Sequence, residues 1–323
     1  MREAAHPRAV ARTFGDALAA CLHGIPRGRA VPCADVARAL GDVRAARAVA
    51  SWIRSHPDVP GAHRIVRADG TPLLQNASAR LAAEGVPVAA GLVAAAGIGP
   101  APRGPRPLAR LRAQQDRLAA RVSERDGFRT ARRVAAADVA YDGERAHAAA
   151  IIWDAREAVV LETAAISVDV DFPYIPTYLA FREFPPVRAA LSRLRTRADV
   201  LLVDGHGRLH PASFGFACYA GVLLGIPTIG VAKRPLVGHL RPDLRRGDEV
   251  PIEHSGSIRG IAWTPPGGGR PLFVSVGHRV SLGTAMCVVR EVTASRMPEP
   301  LRLADGLARK RKRAIKGEMG SGR

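Results

Sequence analysis

Two acidic residues sit where apolar, strand-like runs would bury them: Asp138 in VAAADVAYDG and Asp204 in VLLVDGHG. An unpaired carboxylate taken out of water costs several kcal/mol, so burial of two requires a cation or a hydrogen-bonding partner for each. Taken singly, an aspartate before a glycine, as at Asp142 and Asp204, marks a turn. The pair, each preceded by an apolar stretch, constrains the fold more strongly: the two strands should lie side by side and share a divalent cation.

The rest of that segment has a matching grammar. RRVAAADVAY, HAAAIIWD and AVVLETAAISVDV read as three strands separated by turn residues. They are followed by a helix (PTYLAFREFPPVRAALSRLR), the strand ADVLLVDG, the helix FACYAGVLLG and the strand TIGVAK. Antiparallel strands followed by alternating helix and strand describe an α/β domain with a mixed sheet covered by helices, as in ribonuclease H-like folds. In that topology the first and fourth strands are neighbours, which puts Asp138 beside Asp204.

The amino-terminal segment is different. FGDALAACLHGIP, CADVARALG and VRAARAVASWIRS have helical spacing, and the Gly-containing turn before the third suggests a small winged helix-turn-helix domain. Prolines and glycines in GLVAAAGIGPAPRGPRPLAR imply a linker over 93–107 between a domain at 11–92 and a second at 108–308. The basic run in GLARKRKRAIKGEMGSGR reads as a disordered tail over 309–323. With 48 Lys and Arg against 29 Asp and Glu, the net charge of +19 favours a polyanionic partner such as nucleic acid. The four cysteines are far apart, without a C-x-x-C pair, which argues against a zinc site or a disulfide framework and fits a reducing cytoplasm. Neither a signal peptide nor a membrane-spanning apolar run is present in this sequence.

The pieces IPRGRAV, DVARALG, ARAVASWI, GAHRIVRADG and ARLAAEGV resemble, in order, the DNA-binding domain of O6-alkylguanine-DNA alkyltransferases and their alkyltransferase-like relatives. In the alkyltransferases a nucleophilic cysteine occupies the position of Ala62 in Gly61-Ala62-His63-Arg64. A methyl side chain has no lone pair, so the resemblance implies a module that binds alkylated guanine without repairing it. It places Arg47 where the family inserts an arginine into the duplex, Ala62 and Arg64 at the lesion, and Cys33 where the family usually has a tyrosine.

DFPYIP, LAFREFPP, VDGHGRLHP, GIPTIGVAK, SVGH and MPEPLRLAD resemble the motifs of endonuclease V, the repair nuclease for deaminated purines. The resemblance implies that Asp138, Asp204 and Glu183 hold magnesium, with manganese as a possible substitute. It also implies that Lys233 and His278 assist at the phosphate, and that His210 lies near the lesion pocket. Tyr174 and Ile175, stiffened by Pro173 and Pro176, would form a wedge that fills the gap left by a base, while Gly205 and Gly207 bring backbone amides to the flipped hypoxanthine. His206 replaces the family's Asn or Gln, and Thr177 replaces its usual glycine.

The expected protein is a monomeric DNA repair endonuclease that acts in the cytoplasm on the nucleoid. It would cut on the 3′ side of inosine in damaged DNA, leaving 3′-hydroxyl and 5′-phosphate ends, and pass the product to downstream repair proteins, without a membrane partner. Two alternatives stand beside it: a non-catalytic damage sensor that recruits repair proteins, and a nuclease for inosine in RNA. Four chemically apt residues, Asp138, Glu183, Asp204 and Lys233, argue for catalysis, and the helix-turn-helix argues for duplex DNA.

Overall fold

The computed structural model describes residues 7–238, 245 and 247–320. It divides into two compact units, 1–113 with 171–176, and 114–170 with 177–323.

In the first unit, helix α1 (Pro7–His23) precedes the short strand β1 (Val31–Pro32) and helix α2 (Cys33–Leu40). Apolar residues at helical spacing give α2 a buried stripe of Cys33, Val36, Ala37 and Leu40, and Gly41 stops it in the left-handed conformation (φ +108°). The turn is fixed by Asp42, whose carboxylate accepts a hydrogen bond from the Arg44 amide at 2.9 Å. Helix α3 (Ala46–Ser55) then buries Ala48, Val49 and Ile53 and leaves Arg47 exposed. Strand β2 (Ile65–Val66) pairs in parallel with β1, helix α4 (Ala77–Ala83) follows, and β3 (Val88–Ala89) and β4 (Leu92–Val93) form a small antiparallel wing.

The second unit is a mixed sheet that follows, in the chain, helix α5 (Pro107–Ala119), whose first turns belong to the first unit. Strands β5 (Arg133–Asp142), β6 (Arg145–Asp154) and β7 (Val159–Asp169) are antiparallel. Helix α6 (Leu179–Leu191), strand β8 (Val200–Asp204), helix α7 (Phe216–Leu224) and strand β9 (Thr228–Ala232) follow. β10 (Glu249–His254), β11 (Ser257–Trp263), β12 (Leu272–His278), α8 (Leu282–Glu291) and α9 (Glu299–Gly320) complete it. The strand order is β10-β11-β12-β9-β8-β5-β6-β7, with β5, β8 and β9 parallel, so the first and fourth strands of this unit are indeed neighbours. Val134 and Ala136 of β5 pack with Leu301 and Ala304 of α9 and Met286 and Val289 of α8 in one apolar cluster. Ala135 and Ala137, on the alternate face, are buried as well, so β5 is covered on both sides.

The boundaries differ from expectation in several places. Residues 108–113 and 171–176, expected in the second domain, group with the first unit. Residues 93–99, expected as linker, are built into the first unit: Val93 is in its core, and Gly99 donates to the Ala30 carbonyl at 2.8 Å. Residues 309–320, expected as a disordered tail, continue α9, because Leu301, Ala304 and Ala308 form a buried helical stripe that carries the charged run with it. The end of that expected tail, 321–323, lies outside the described residues.

Candidate active site

Register brings the two acids together. Ala137 of β5 pairs with Val203 of β8, so Asp138 and Asp204 stand at one level on adjacent parallel strands. Lys233, immediately after β9, donates to Asp204 Oδ2 at 2.5 Å. Burial works against its ammonium, yet the charges of Asp204, Asp138 and Asp305 raise its pKa overall, so it is a cation at neutral pH. Asp138 is pushed up to about 7, first by burial, then by the charge of Asp204, with Asp305 adding charge and a hydrogen bond. Glu183 on α6 is held well above the usual carboxylate range by burial and then by Asp138 and Asp204. Arg182 opposes that shift while its guanidinium lies 4.1 Å over the Tyr141 ring.

Asp305 is the site residue missed in the sequence. It stands one position after the core residue Ala304 on α9, which packs against β5 and β8, and its other side is held by Arg309 at 2.7 Å. The signal was present in MPEPLRLAD, whose last residue it is.

Several expected site residues fall elsewhere. His278 ends β12, which runs antiparallel to β9 and pairs it with Thr228. Val231 is level with Asp204, so His278 is three residues, about 10 Å, along the sheet from the acids. Its Nδ1 accepts from the Ser123 amide at 3.2 Å, and burial, with Arg279 and Arg121, keeps its ring neutral. The amides expected at the flipped base are also engaged: Gly205 N–H bonds to Val231 O at 3.0 Å, and Gly207 N–H to Ser275 Oγ at 2.9 Å. A Cβ on Gly207 would lie 2.0 Å from Val276 O, so close backbone packing requires that glycine. His206 donates from Nε2 to Arg234 O at 2.8 Å, and burial, its first cause, lowers its pKa. His210 is buried and its Nδ1 accepts from the Ala212 amide at 3.1 Å. Of the expected wedge, Tyr174 is 58% exposed and Ile175 fully buried, so only the tyrosine is presented.

In the first unit, Ala62 is fully buried and Cys33 is buried with its thiol pushed up to about 11, so neither side chain is presented to DNA. Arg64, expected at the lesion, is engaged within the unit. It grips Glu84 through Nε and a terminal nitrogen, both at 2.8 Å, and donates to Ile25 O at 2.7 Å. His63 bonds the same carboxylate at 3.0 Å, and the pair hold Glu84 down to about 2, Arg64 foremost. His63 and Arg54 line a pocket of about 440 Å³ with Leu73, Leu74, Asn76 and Arg80.

Adjacent parallel strands thus present paired acids, with an ammonium and two further carboxyls close by, on a ribonuclease H-like sheet. The endonuclease V family model matches residues 116–306, and the chain belongs to that family. Endonuclease V of Thermofilum pendens is 45% identical over 200 residues, covering 61% of this chain and 85% of its own length. The structure of Streptomyces avermitilis endonuclease V is 40% identical, with a TM-score of 0.59 over 65% of this chain and 93% of that one. Ciona intestinalis endonuclease V, 29% identical with a TM-score of 0.59 over 64% of this chain and 98% of that one, was solved with a 24mer DNA containing an inosine followed by a ribo-adenosine. A second model, the DNA-binding domain of 6-O-methylguanine DNA methyltransferase, matches residues 13–86. The protein is therefore an endonuclease with an appended DNA-binding module. No described helix is long and apolar enough to cross a membrane.

Proposed function

We propose that the chain hydrolyses the phosphodiester on the 3′ side of inosine in damaged DNA in the cytoplasm, and that its amino-terminal module binds O6-alkylguanine without chemistry. The observation that carries the nuclease reading is Asp138 beside Asp204 with Lys233 at 2.5 Å from the latter, in a chain whose relative from Ciona intestinalis was solved with inosine-containing DNA.

The residues fit a divalent cation. Asp138 and Glu183 both hold protons more tightly than free carboxyls because they face other acids out of water, and a cation would relieve that repulsion. Among the described residues no three His, Cys, Asp or Glu side chains are grouped closely enough to hold a metal ion by themselves. An open set suits magnesium, which takes one or two carboxylates and keeps several waters. Asp138 and Asp204 would hold it, with Glu183 and Asp305 reaching it directly or through water. Bound there, it would supply Lewis acidity toward a phosphoryl oxygen and lower the pKa of a water. Lys233 offers a fixed positive charge to the phosphate as negative charge builds on it, and Asp204 orients that ammonium. Tyr174 is exposed, and an exposed ring can stack where a base has left.

The first unit contributes an exposed Arg47 on α3 and no nucleophile at Ala62. The test is nicking of inosine, O6-methylguanine and undamaged duplexes with magnesium or chelator. Magnesium-dependent cuts on the 3′ side of inosine, lost in Asp204→Ala, are expected, along with binding of the O6-methylguanine duplex that weakens in Arg47→Ala and leaves no methyl group on the protein. Inosine cleavage undiminished by Asp204→Ala refutes the assignment.

A further inference from the structure

Beyond the acids lies a pocket of about 500 Å³ whose lining is cationic: Lys233, Arg234, Arg270, Arg296, Arg302 and Arg309, against the single carboxylate of Asp305. Arg309 is paired with Asp305 and Arg302 with Glu299. Among the described residues, Arg234, Arg270 and Arg296 have no carboxylate partner within ion-pair distance. Confining that many like charges around one hollow is unfavourable unless a polyanion enters it. The loop Pro265–Arg270 (PPGGGR) forms part of the rim, and Gly269 (φ +100°) leaves its backbone bare: a Cβ there would meet only Arg296 Cδ, at 3.8 Å. Such a rim admits a phosphate to main-chain distance. Lys233 belongs to both places, bonded to Asp204 on one side and lining the pocket on the other.

We propose that this pocket is a second phosphate subsite, which takes the backbone of the cleaved strand on one flank of the cut. The proposal rests on the nuclease reading above. A strand whose scissile phosphate lies at Asp204 and Lys233 enters the pocket with its next phosphates, and Arg270 and Arg296 neutralise them. This holds the strand in register with the acids whatever its bases are.

Arg270 and Arg296 are exposed and can be changed without disturbing the core. The test uses the full chain carrying Arg270→Ala and Arg296→Ala together, with a fluorescein-labelled inosine duplex followed by anisotropy in chelator over about 50–200 mM salt. Removing two phosphate contacts should make the dependence of log K on log salt shallower by about 2, on inosine and undamaged duplexes alike. In nicking assays KM should rise while kcat stays. The difference should vanish on duplexes that end just past the cut on one flank, and the flank that matters identifies the direction of the strand. Equal salt slopes for variant and wild type, or a difference that persists whichever of the two flanks is truncated, overturns the subsite. A wild-type chain that bound but never nicked inosine would defeat the substrate reading instead, because the salt slopes are measured without cleavage.

Discussion

Asp138→Asn tests whether the acids are held together against their own repulsion. In the folded chain the Asp138 carboxyl is displaced from the ordinary 3.8 to about 7, first by burial and then by Asp204, with Asp305 contributing. That displacement corresponds to on the order of 4 kcal/mol, shared among the coupled acids. A folded pKa above the unfolded one means that the native state binds more protons between the two values. The cost is therefore absent below about pH 4 and complete above about pH 7. In chelator at pH 8, Asn at this position should stabilise the nuclease unit by a few kcal/mol at most, and should flatten the loss of stability that wild type shows between pH 4 and 8. Millimolar magnesium should then raise the stability of wild type, by about 2.7 kcal/mol at a hundred times its dissociation constant, and leave the variant unmoved and unable to nick. The assay is urea unfolding followed by tryptophan fluorescence. Trp153 and Trp263 report the nuclease unit and Trp52 the amino-terminal one, so the transitions can be fitted separately. A variant less stable than wild type at pH 8 in chelator would refute the reasoning.

Two further outcomes follow from side chains with defined partners. Glu84→Ala should cost the amino-terminal unit about 3 kcal/mol, because it strands Arg64 and His63 in a nearly buried setting; an unchanged Trp52 transition would show the cluster to be ornamental. Since Glu84 is depressed to about 2 from 4.5, its contribution is present above pH 4.5 and lost as pH falls toward 2, so acid unfolding of that unit should move upward in pH once it is removed. Thr177→Gly should stabilise the chain by somewhat under about 1 kcal/mol: a β-branched residue at φ +70° is strained by about 1–2 kcal/mol, and glycine's extra freedom when unfolded returns part of that. Denaturant midpoints decide it, and a lower midpoint for the glycine variant would mean that the threonine side chain's contacts outweigh the strain.

The central acids were legible because charge inside an apolar, alternating strand breaks a strong pattern. Asp138 and Asp204 each interrupt runs that are otherwise buried, and the order of helices and strands made β5 and β8 neighbours before any pairing was seen. The helix-turn-helix was legible for the same reason: the buried stripes of α2 and α3 and the stop at Gly41 are local features. His278 was not placed correctly because its position depends on direction. SVGH closes a strand, but β12 runs against β9, so the end of the motif meets Thr228 and the beginning faces the acids. Only the antiparallel register reveals that reversal, and no local residue pattern encodes it.

The same distinction between local pattern and long-range placement explains Gly205, Gly207 and Asp305. A glycine can be selected because a ligand approaches the backbone or because another strand does, and the sequence looks identical in both cases. At Gly207 the second holds, since a Cβ there would lie 2.0 Å from Val276 O of β12; a Cβ on Gly205 would meet only the Phe216 side chain, at 3.3 Å, and the two amides are spent on Val231 and Ser275. Asp305 is the converse. An acid in a basic helix reads as a solvated residue, yet Leu301, Ala304 and Ala308 mark the face that docks on the sheet, and Asp305 is adjacent to that stripe. Once α9 is seated on β5, the carboxyl must meet Asp138, and an acid that looked like surface decoration becomes the fourth carboxyl of the site.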